Sequence, residues 1–166
     1  FLDSDTVALP DILDNFVSRM NHADAVVGIY HYESLNKGCA QNYKALLNNY
    51  FFSRKGVIEY EVFDAARAGI KSEVFHRIGG FNEHLRWGMD YENEELGYRL
   101  LKSYKILLDP SVMTRHMFPD LRKLTKTYFS RVALWMEIFF FRKKFEFGCV
   151  TSPETGLCTT ALIMTI

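Results

Sequence analysis

The chain has 166 residues, of which 48% are hydrophobic and 15% aromatic, and its 20 basic and 20 acidic side chains balance. This length and apolar content suit about one globular domain and exclude a disordered chain. The zero net charge excludes a nucleic-acid footprint over the whole chain, so we expect no nucleic-acid partner. The three cysteines form no CxxC pair, which is typical of a reducing compartment.

The first residues combine two apolar side chains with two carboxylates. We interpret Phe1 and Leu2 as the end of a buried strand, so that Asp3 and Asp5 follow its carboxyl end. Ligands bind at that edge of α/β sheets. Hard carboxylate oxygens there suit Mg²⁺ or Mn²⁺. The alternative is a solvated turn that caps a helix beginning at Asp11.

Helical and strand patterns alternate along the next hundred residues. The apolar spacing predicts helices over 11–23, 42–52 and 92–103, and strands over 25–30, 104–110 and 112–116, with a stop at Pro110. The segment 55–68 fits either a strand or an irregular lid. Gly79 and Gly80 break the chain after one helical turn, which indicates a positive φ or the close approach of another group.

From Pro119 the sequence becomes basic and aromatic. Between Asp120 and Phe147 it has seven Lys/Arg against three Asp/Glu, and Tyr128, Val132, Trp135 and Phe139 recur on one helical face. This pattern is typical of an amphipathic helix on an anionic membrane surface. A core-packed helix with a solvated basic face is the alternative. The apolar run 156–166 favours the membrane, although a complete span needs about 20 residues.

Three motifs stand in a fixed order: Phe-Leu-Asp-Ser-Asp over 1–5, then Ile-Gly-Gly-Phe-Asn-Glu over 78–83, then Glu-Asn-Glu-Glu-Leu-Gly-Tyr-Arg-Leu over 92–100, with a strand and His116 after them. This order resembles the family 2 glycosyltransferases of the GT-A fold, from Phe1 to about His116. That family has an Asp-x-Asp motif, a Gly-Gly-Phe-Asp-Glu-like motif, a Glu-Asp-x-x-Leu-x-x-Arg-Leu helix and a Val-x-x-His strand.

The resemblance implies an α/β, Rossmann-like GT-A fold with a mixed sheet and flanking helices. Residues 1–118 would be the later part of the catalytic domain, without its nucleotide-binding first half. Residues 119–150 would be a basic aromatic helical segment at the membrane, and 151–166 the start of an apolar, transmembrane-like segment. The chain begins on the first motif and ends inside an apolar run, so we expect a fragment of a longer protein.

The resemblance also implies a donor and metal site. Asp3 and Asp5 would bind the nucleotide-diphosphate sugar, and Asp3, Asp5 and His116 would hold the divalent Mn²⁺ or Mg²⁺. The metal would bridge the two phosphates and take up charge as the nucleoside diphosphate leaves. A hydrogen-bonded histidine at a strand end is the alternative for His116.

The acceptor side is implied in the same way. The turn would let backbone N–H groups and polar side chains approach sugar hydroxyls, and a flat ring would stack on a sugar. A plain chain reversal and ordinary loop packing of the ring are the alternatives. The implied residues are Gly79, Gly80, Phe81, Asn82, Glu83 and Trp87.

The general base is where the sequence departs from the family. An inverting transferase needs a carboxylate to take the acceptor proton, but the Glu-Asp pair of the family falls on Glu92 and Asn93. A second register aligns Gly-Met-Asp-Tyr-Glu over 88–92 with a Gly-Glu-Asp-Tyr-Glu string and makes Asp90 the base. We prefer Asp90, with Glu92 as the rival. Glu95 is expected to pair with Arg99 at i+4.

The expected function is metal-dependent transfer of a sugar, with inversion, from a nucleotide-diphosphate sugar to an acceptor hydroxyl. The acceptor would be lipid-linked or a cell-surface glycan, and the enzyme membrane-associated with its site on the cytoplasmic side. A non-catalytic carbohydrate-binding or interaction domain is one alternative, supported by Asn93. A nucleotidyltransferase is the other.

Overall fold

The computed structural model describes residues 1–85, 91–127, 139–140 and 143. They form an α/β fold on one five-stranded sheet. Residues 121–127 add a helical stretch beyond the sheet. The strands are β1 (Thr6–Ala8), β2 (Ala25–Tyr30), β3 (Ile58–Glu59), β4 (Ala68–Ile70) and β5 (Ile106–His116), and the helices are α1 (Ile12–Met20), α2 (Cys39–Ser53), α3 (Ser72–Arg77) and α4 (Glu92–Leu100).

The sheet is mixed and is centred on β5. Its order is β1-β5-β2-β4, and β3 also pairs with β5. β2 and β5 run parallel, whereas the other strand pairs are antiparallel. β5 is long enough for β3 to pair with its first half and β1 with its second half. One edge of β5 therefore pairs with β2, and the other edge pairs first with β3 and then with β1.

Helices cover both faces of the sheet. Alternate residues of a strand point to opposite faces, and Val26 belongs to a cluster with Ile12 of α1, whereas Val27 belongs to a cluster with Phe52 of α2 and Leu96 of α4. This double cover explains why β2 reads as a continuous apolar run rather than an alternating one. The α/β class with a mixed sheet and flanking helices is thus present.

A bulge interrupts β5, and it corrects one prediction. We expected the strand to stop at Pro110, but the strand continues to His116. The pairing with β2 shifts between Val27 and Ile29, and Pro110, which lacks an N–H, lies in that shift. The carboxylate of Asp109 stabilises the bulge by accepting from the Ser111 N–H at 2.8 Å and by pairing with Arg19 of α1.

The start of the chain also differs from the expectation. Phe1 and Leu2 are each about half exposed, so the prediction that they end a buried strand is wrong. Leu2 forms a single antiparallel bridge with Arg67, and the Phe1 and Ala68 backbones exchange hydrogen bonds. The strand of this region, β1, comes after the Asp-x-Asp motif.

The remaining helices and strands agree with the predictions made from the sequence. Strand β2 matches the predicted 25–30, and the three predicted helices match α1, α2 and α4 within a few residues at each end. The ambiguous segment 55–68 contains the short β3 and ends at the start of β4. Gly79 and Gly80 have φ of +83° and +66°, so the predicted positive φ is confirmed.

The region after Pro119 is described only in part. Residues 121–127 and 139–140 are helical, whereas Tyr128, Val132, Trp135 and the apolar run 156–166 lie outside the described residues. Within the described ranges, no helix is both long and apolar enough to cross a membrane. The predicted membrane segment therefore stays a prediction.

Candidate functional site

A tight turn positions the two carboxylates of the Asp-x-Asp motif. The Asp3 carbonyl accepts from the Thr6 N–H at 3.1 Å and from the Thr6 hydroxyl at 2.7 Å. The Asp5 carbonyl accepts from the Met117 N–H at 3.0 Å. The turn thereby joins the motif to the segment that follows the carboxyl end of β5.

His116 ends β5 and faces this turn. Its Nε2 lies 3.3 Å from Oδ2 of Asp5. Its ring lies between those of Tyr30 and Phe118, with ring-centre distances of 4.7 and 4.6 Å. Its Nδ1 is buried, and no described residue bonds to it. Burial lowers the pKa of His116, although Asp5 opposes that shift.

A third carboxylate, Asp64, belongs to the same region and was missed in the sequence. It lies 2.6 Å from Nη1 of Arg67, which is only 3% exposed. The Arg67 Nε donates to the Gly28 carbonyl at 2.8 Å, and its guanidinium carbon lies 3.9 Å from the centre of the Tyr30 ring. Burial disfavours the charged guanidinium, but Asp64 and the Tyr30 phenol outweigh this and raise the pKa of Arg67.

The charges of Asp5 and Asp64 act on Asp3. Asp3 is attached to the Asp64 turn because its N–H donates to the Ala66 carbonyl at 3.3 Å. Burial, then the charge of Asp5, then that of Asp64 raise the pKa of Asp3. Burial also raises the pKa of Tyr30 to about 12, which keeps its phenol neutral beside Arg67. Negative charge thus exceeds positive charge here, an arrangement that favours a bound cation.

The donor set fits part of a divalent-metal site. Two neighbouring ligands, each about 2.1 Å from an octahedral Mg²⁺, lie roughly 3 Å apart, and the separation of Asp5 Oδ2 and His116 Nε2 is 3.3 Å. In the part of the chain that the structure describes, no three His, Cys, Asp or Glu side chains surround one point as metal ligands would. The structure therefore supplies a pair of ligands, with Asp3 next to them.

The Gly79-Gly80 turn is held by one arginine of α4. Arg99 donates from Nη1 to the Ile78 carbonyl at 2.5 Å and from Nη2 to the Gly80 carbonyl at 2.6 Å. The same guanidinium binds both oxygens of Glu95, at 2.6 and 2.7 Å. The predicted Glu95–Arg99 pair is therefore confirmed, and it fixes the turn to the helix.

Aromatic rings connect this turn to the Asp-x-Asp motif. Phe81 packs edge-on against Phe1 at a ring-centre distance of 5.6 Å, and both rings contact Phe75. Asn82 accepts from the His84 N–H at 3.0 Å, and Glu83 is exposed. The first and second motifs are thus neighbours in space.

The structure describes only one of the two candidates for the general base. Asp90 and Trp87 lie outside the described residues. Glu92 begins α4, and its Oε2 is buried without a hydrogen-bond partner among the described residues. Gly97 lets α4 pack closely against residues 61–63, since a Cβ at position 97 would lie 2.9 Å from the Phe63 nitrogen.

No protein-family profile, curated protein or solved structure matches this chain.

Proposed function

We propose that this chain carries the metal, acceptor and base side of an inverting glycosyltransferase of family 2, with the finer GT-A arrangement of its α/β sheet. The observation that carries the proposal is the pair formed by Asp5 and His116 beside Asp3 at the end of β5. A mixed sheet with a parallel β2–β5 pair supports the arrangement, because ligand sites in such sheets lie at the carboxyl ends of strands.

The proposed metal is Mn²⁺ or Mg²⁺, held by Asp5 and His116 with Asp3 toward the donor. Protein sites for Mg²⁺ commonly use one or two carboxylates and leave the other positions to substrate phosphates and water. Two protein ligands thus suffice when a nucleotide-diphosphate sugar is bound. The metal supplies Lewis-acid stabilisation of the leaving diphosphate.

The rest of the reaction belongs to the second and third motifs. The acceptor hydroxyl attacks the anomeric carbon, the bond from that carbon to the diphosphate breaks, and the hydroxyl proton passes to a carboxylate. Asp90 or Glu92 takes that proton in the proposal. The turn fixed by Arg99 binds the acceptor sugar through Gly79, Gly80, Asn82 and Glu83. Phe81 and Trp87 contribute apolar contact to it.

The acceptor and the location complete the proposal. A lipid-linked acceptor or a cell-surface glycan suits an enzyme held at the cytoplasmic surface of a membrane. The basic aromatic residues 119–150 are proposed to make that attachment, followed by the apolar residues 151–166.

The test is Mn²⁺ binding and nucleoside diphosphate release by the full-length protein. Mn²⁺ binding is followed by the electron paramagnetic resonance signal of the free ion, and UDP-, GDP- and dTDP-sugars are screened for release with Mn²⁺, Mg²⁺ or EDTA. We expect metal-dependent release that falls at least about a hundredfold in Asp5→Asn and in His116→Gln. Both variants should also bind Mn²⁺ more weakly.

Asp14→Asn is the matched control. Asp14 is an exposed aspartate on α1, a helix that supplies no residue of the proposed site, and its substitution removes the same charge. Unchanged Mn²⁺ affinity in Asp5→Asn and His116→Gln would refute the metal site. Metal and nucleotide binding without turnover, with every acceptor class supplied, would favour the non-catalytic carbohydrate-binding domain instead.

A further inference from the structure

The outward side of α2 is apolar. Tyr43, Leu46, Leu47 and Tyr50 lie at positions i, i+3, i+4 and i+7, which share one side of a helix. Their exposed fractions lie between 46% and 65%. We call these four residues the α2 outer face. The opposite side of α2 buries Phe52 in the core. The α2 outer face is therefore not explained by the folding of this helix against the sheet.

The charged residues of α2 and of the sequence next to it have one sign. From Leu35 to Ile58 the sequence contains four basic residues and no acidic residue, and the basic residues are Lys37, Lys44, Arg54 and Lys55. The guanidinium carbon of Arg54 lies 5.3 Å from the ring centre of Tyr50. One positive charge thus lies at the edge of the α2 outer face. Exposed Leu and Tyr flanked by Lys and Arg are the combination that binds anionic lipid surfaces.

Helix α1, which packs on the opposite face of the sheet, offers an internal contrast. Its Leu13 and Val17 are 72% and 69% exposed. Acidic Asp11 and Asp14 lie within three residues of them in the sequence, and the basic residue of α1, Arg19, is paired with Asp109. An anionic surface attracts the charges around α2 and repels those around α1. Exposed apolar side chains alone therefore do not distinguish the two helices, whereas charge does.

We propose that the α2 outer face docks on an anionic lipid bilayer. Its leucines and tyrosines enter the boundary between headgroups and acyl chains, and the four basic residues supply the attraction. The proposal does not rest on sugar transfer, because binding to lipid needs neither donor nor metal. It is also separate from the segment 119–150, because it uses only residues of α2 and of the segments next to its two ends.

The position of α2 relates this surface to the candidate site. On its inner side the Asn49 amide donates to the Tyr30 carbonyl at 2.8 Å. The Tyr30 ring packs on His116. A bilayer on the α2 outer face would thus lie about one helix diameter, roughly 10 Å, from that contact.

The experiment measures binding of the full-length protein to vesicles and the environment of α2 itself. Vesicles of phosphatidylcholine alone are compared with vesicles that also contain phosphatidylglycerol. Cys39 is exposed at the start of α2, and it carries an environment-sensitive fluorophore in a Cys149→Ser, Cys158→Ser background. The matched label is placed on α1 by Leu13→Cys together with Cys39→Ser.

We expect binding to the anionic vesicles, a blue shift of the label at 39, and no shift of the label at 13. Leu46→Ser with Tyr50→Ser should weaken vesicle partitioning at least about tenfold. Leu13→Ser with Val17→Ser should leave it within about twofold. Arg54→Gln with Lys37→Gln should weaken binding to anionic vesicles only. Because all these side chains are exposed, circular dichroism should show the wild-type fold in each variant.

Three outcomes would overturn the proposal. Vesicle binding that the Leu46/Tyr50 variant leaves unchanged, with no shift of the label at 39, would assign attachment to the segment 119–150. Absence of binding to both kinds of vesicle would show that the α2 outer face does not dock on lipid. A lipid-independent shift that grows with protein concentration, and disappears in the Leu46/Tyr50 variant, would identify a second copy of this chain as the occupant.

Discussion

Two arginines lie in the regions around the motifs, and their environments differ. Arg67 is 3% exposed and pairs with Asp64, while its guanidinium lies over the Tyr30 ring. Arg99 has a side chain that is 26% exposed and pairs with Glu95 through two hydrogen bonds. Both pairs are local in sequence, at i,i+3 and i,i+4. Their burial, however, assigns them different tasks.

The buried Arg67 controls charge, and the partly exposed Arg99 controls shape. Arg67 is a permanent cation close to Asp3, and the charges of His116 and Arg67 oppose the rise in the pKa of Asp3. Arg99 instead donates to two backbone carbonyls and holds a turn with positive φ. Removal of Arg67 should therefore change stability and electrostatics, whereas removal of Arg99 should change the geometry of the Gly79-Gly80 turn.

The largest expected effect is that of Arg67→Met. The substitution leaves the Gly28 carbonyl without its donor and Asp64 without its cation. Loss of one partner of a buried pair typically costs about 3–5 kcal/mol, and we expect a value near the lower end because Asp64 is 30% exposed. Urea unfolding in EDTA measures the change.

Arg99→Met is the comparison for that measurement. It removes charge-assisted hydrogen bonds from a partly solvated position, so we expect a smaller loss of about 1–2 kcal/mol. Arg54→Met controls for loss of an exposed arginine and should change stability by less than about 0.5 kcal/mol. Equal losses of unfolding free energy in Arg67→Met and Arg99→Met would contradict the different roles assigned to the two arginines.

The next effect separates backbone strain from function. Gly79 and Gly56 have φ of +83° and +66°, and a Cβ at either position would meet no atom of the described residues within 4 Å. Gly79→Ala and Gly56→Ala should therefore cost the same, about 1 kcal/mol, through the left-handed conformation alone. Only Gly79→Ala should raise the KM for the acceptor, by several-fold, because only Gly79 belongs to the turn held by Arg99.

Thermal unfolding and acceptor titration of both variants make this comparison. A similar change in acceptor KM in the two variants would show that the turn does not bind the acceptor. An unchanged melting temperature in Gly56→Ala would show that the left-handed backbone conformation is not what destabilises the two variants.

The sequence predicted the local elements better than the contacts between them. The helices and β2 follow from apolar periodicity, which is a local property. The Asp109 bulge was missed because its stabilising partner, Arg19, is on α1, 90 residues away. Asp64 and Arg67 were missed because burial of the guanidinium depends on the Gly28 carbonyl, 39 residues away. β1 was missed because three residues with Val7 exposed give no alternating pattern.

The candidate site shows the same division. The Asp-x-Asp motif and His116 could be found as short motifs, and the structure brings Asp5 and His116 together. The interpretation of Phe1 and Leu2 failed because apolar side chains alone do not show which strand covers them. Phe1 instead packs beside Phe81, a contact that spans the first two motifs.

The smallest expected effect is on the pH dependence of folding stability, and it has opposite signs at Asp3 and Asp24. Burial, and then Asp5, raises the pKa of Asp3 above its ordinary value. The folded state of such a group binds its proton more readily than the unfolded state, so stability is lost as pH rises through the folded pKa. The Lys105 N–H, with help from Lys71, lowers the pKa of Asp24 although burial opposes it. Its stabilising contribution is present at neutral pH and is lost as pH falls through the folded pKa.

Asp3→Asn should therefore stabilise the metal-free protein near neutral pH, and Asp24→Asn should destabilise it. The Asp3→Asn difference should disappear as pH falls from the raised folded pKa of Asp3 to the ordinary aspartate value of 3.8. The Asp24→Asn difference should disappear only as pH falls further, through the lowered folded pKa of Asp24. Urea midpoints in EDTA across this range measure the two curves. Saturating Mn²⁺ should reverse the order for Asp3→Asn, because a bound cation removes the charge penalty from the wild type alone. A destabilised Asp3→Asn without metal would mean that the turn needs this carboxylate for folding, and the excess negative charge would then not be a site kept for a cation.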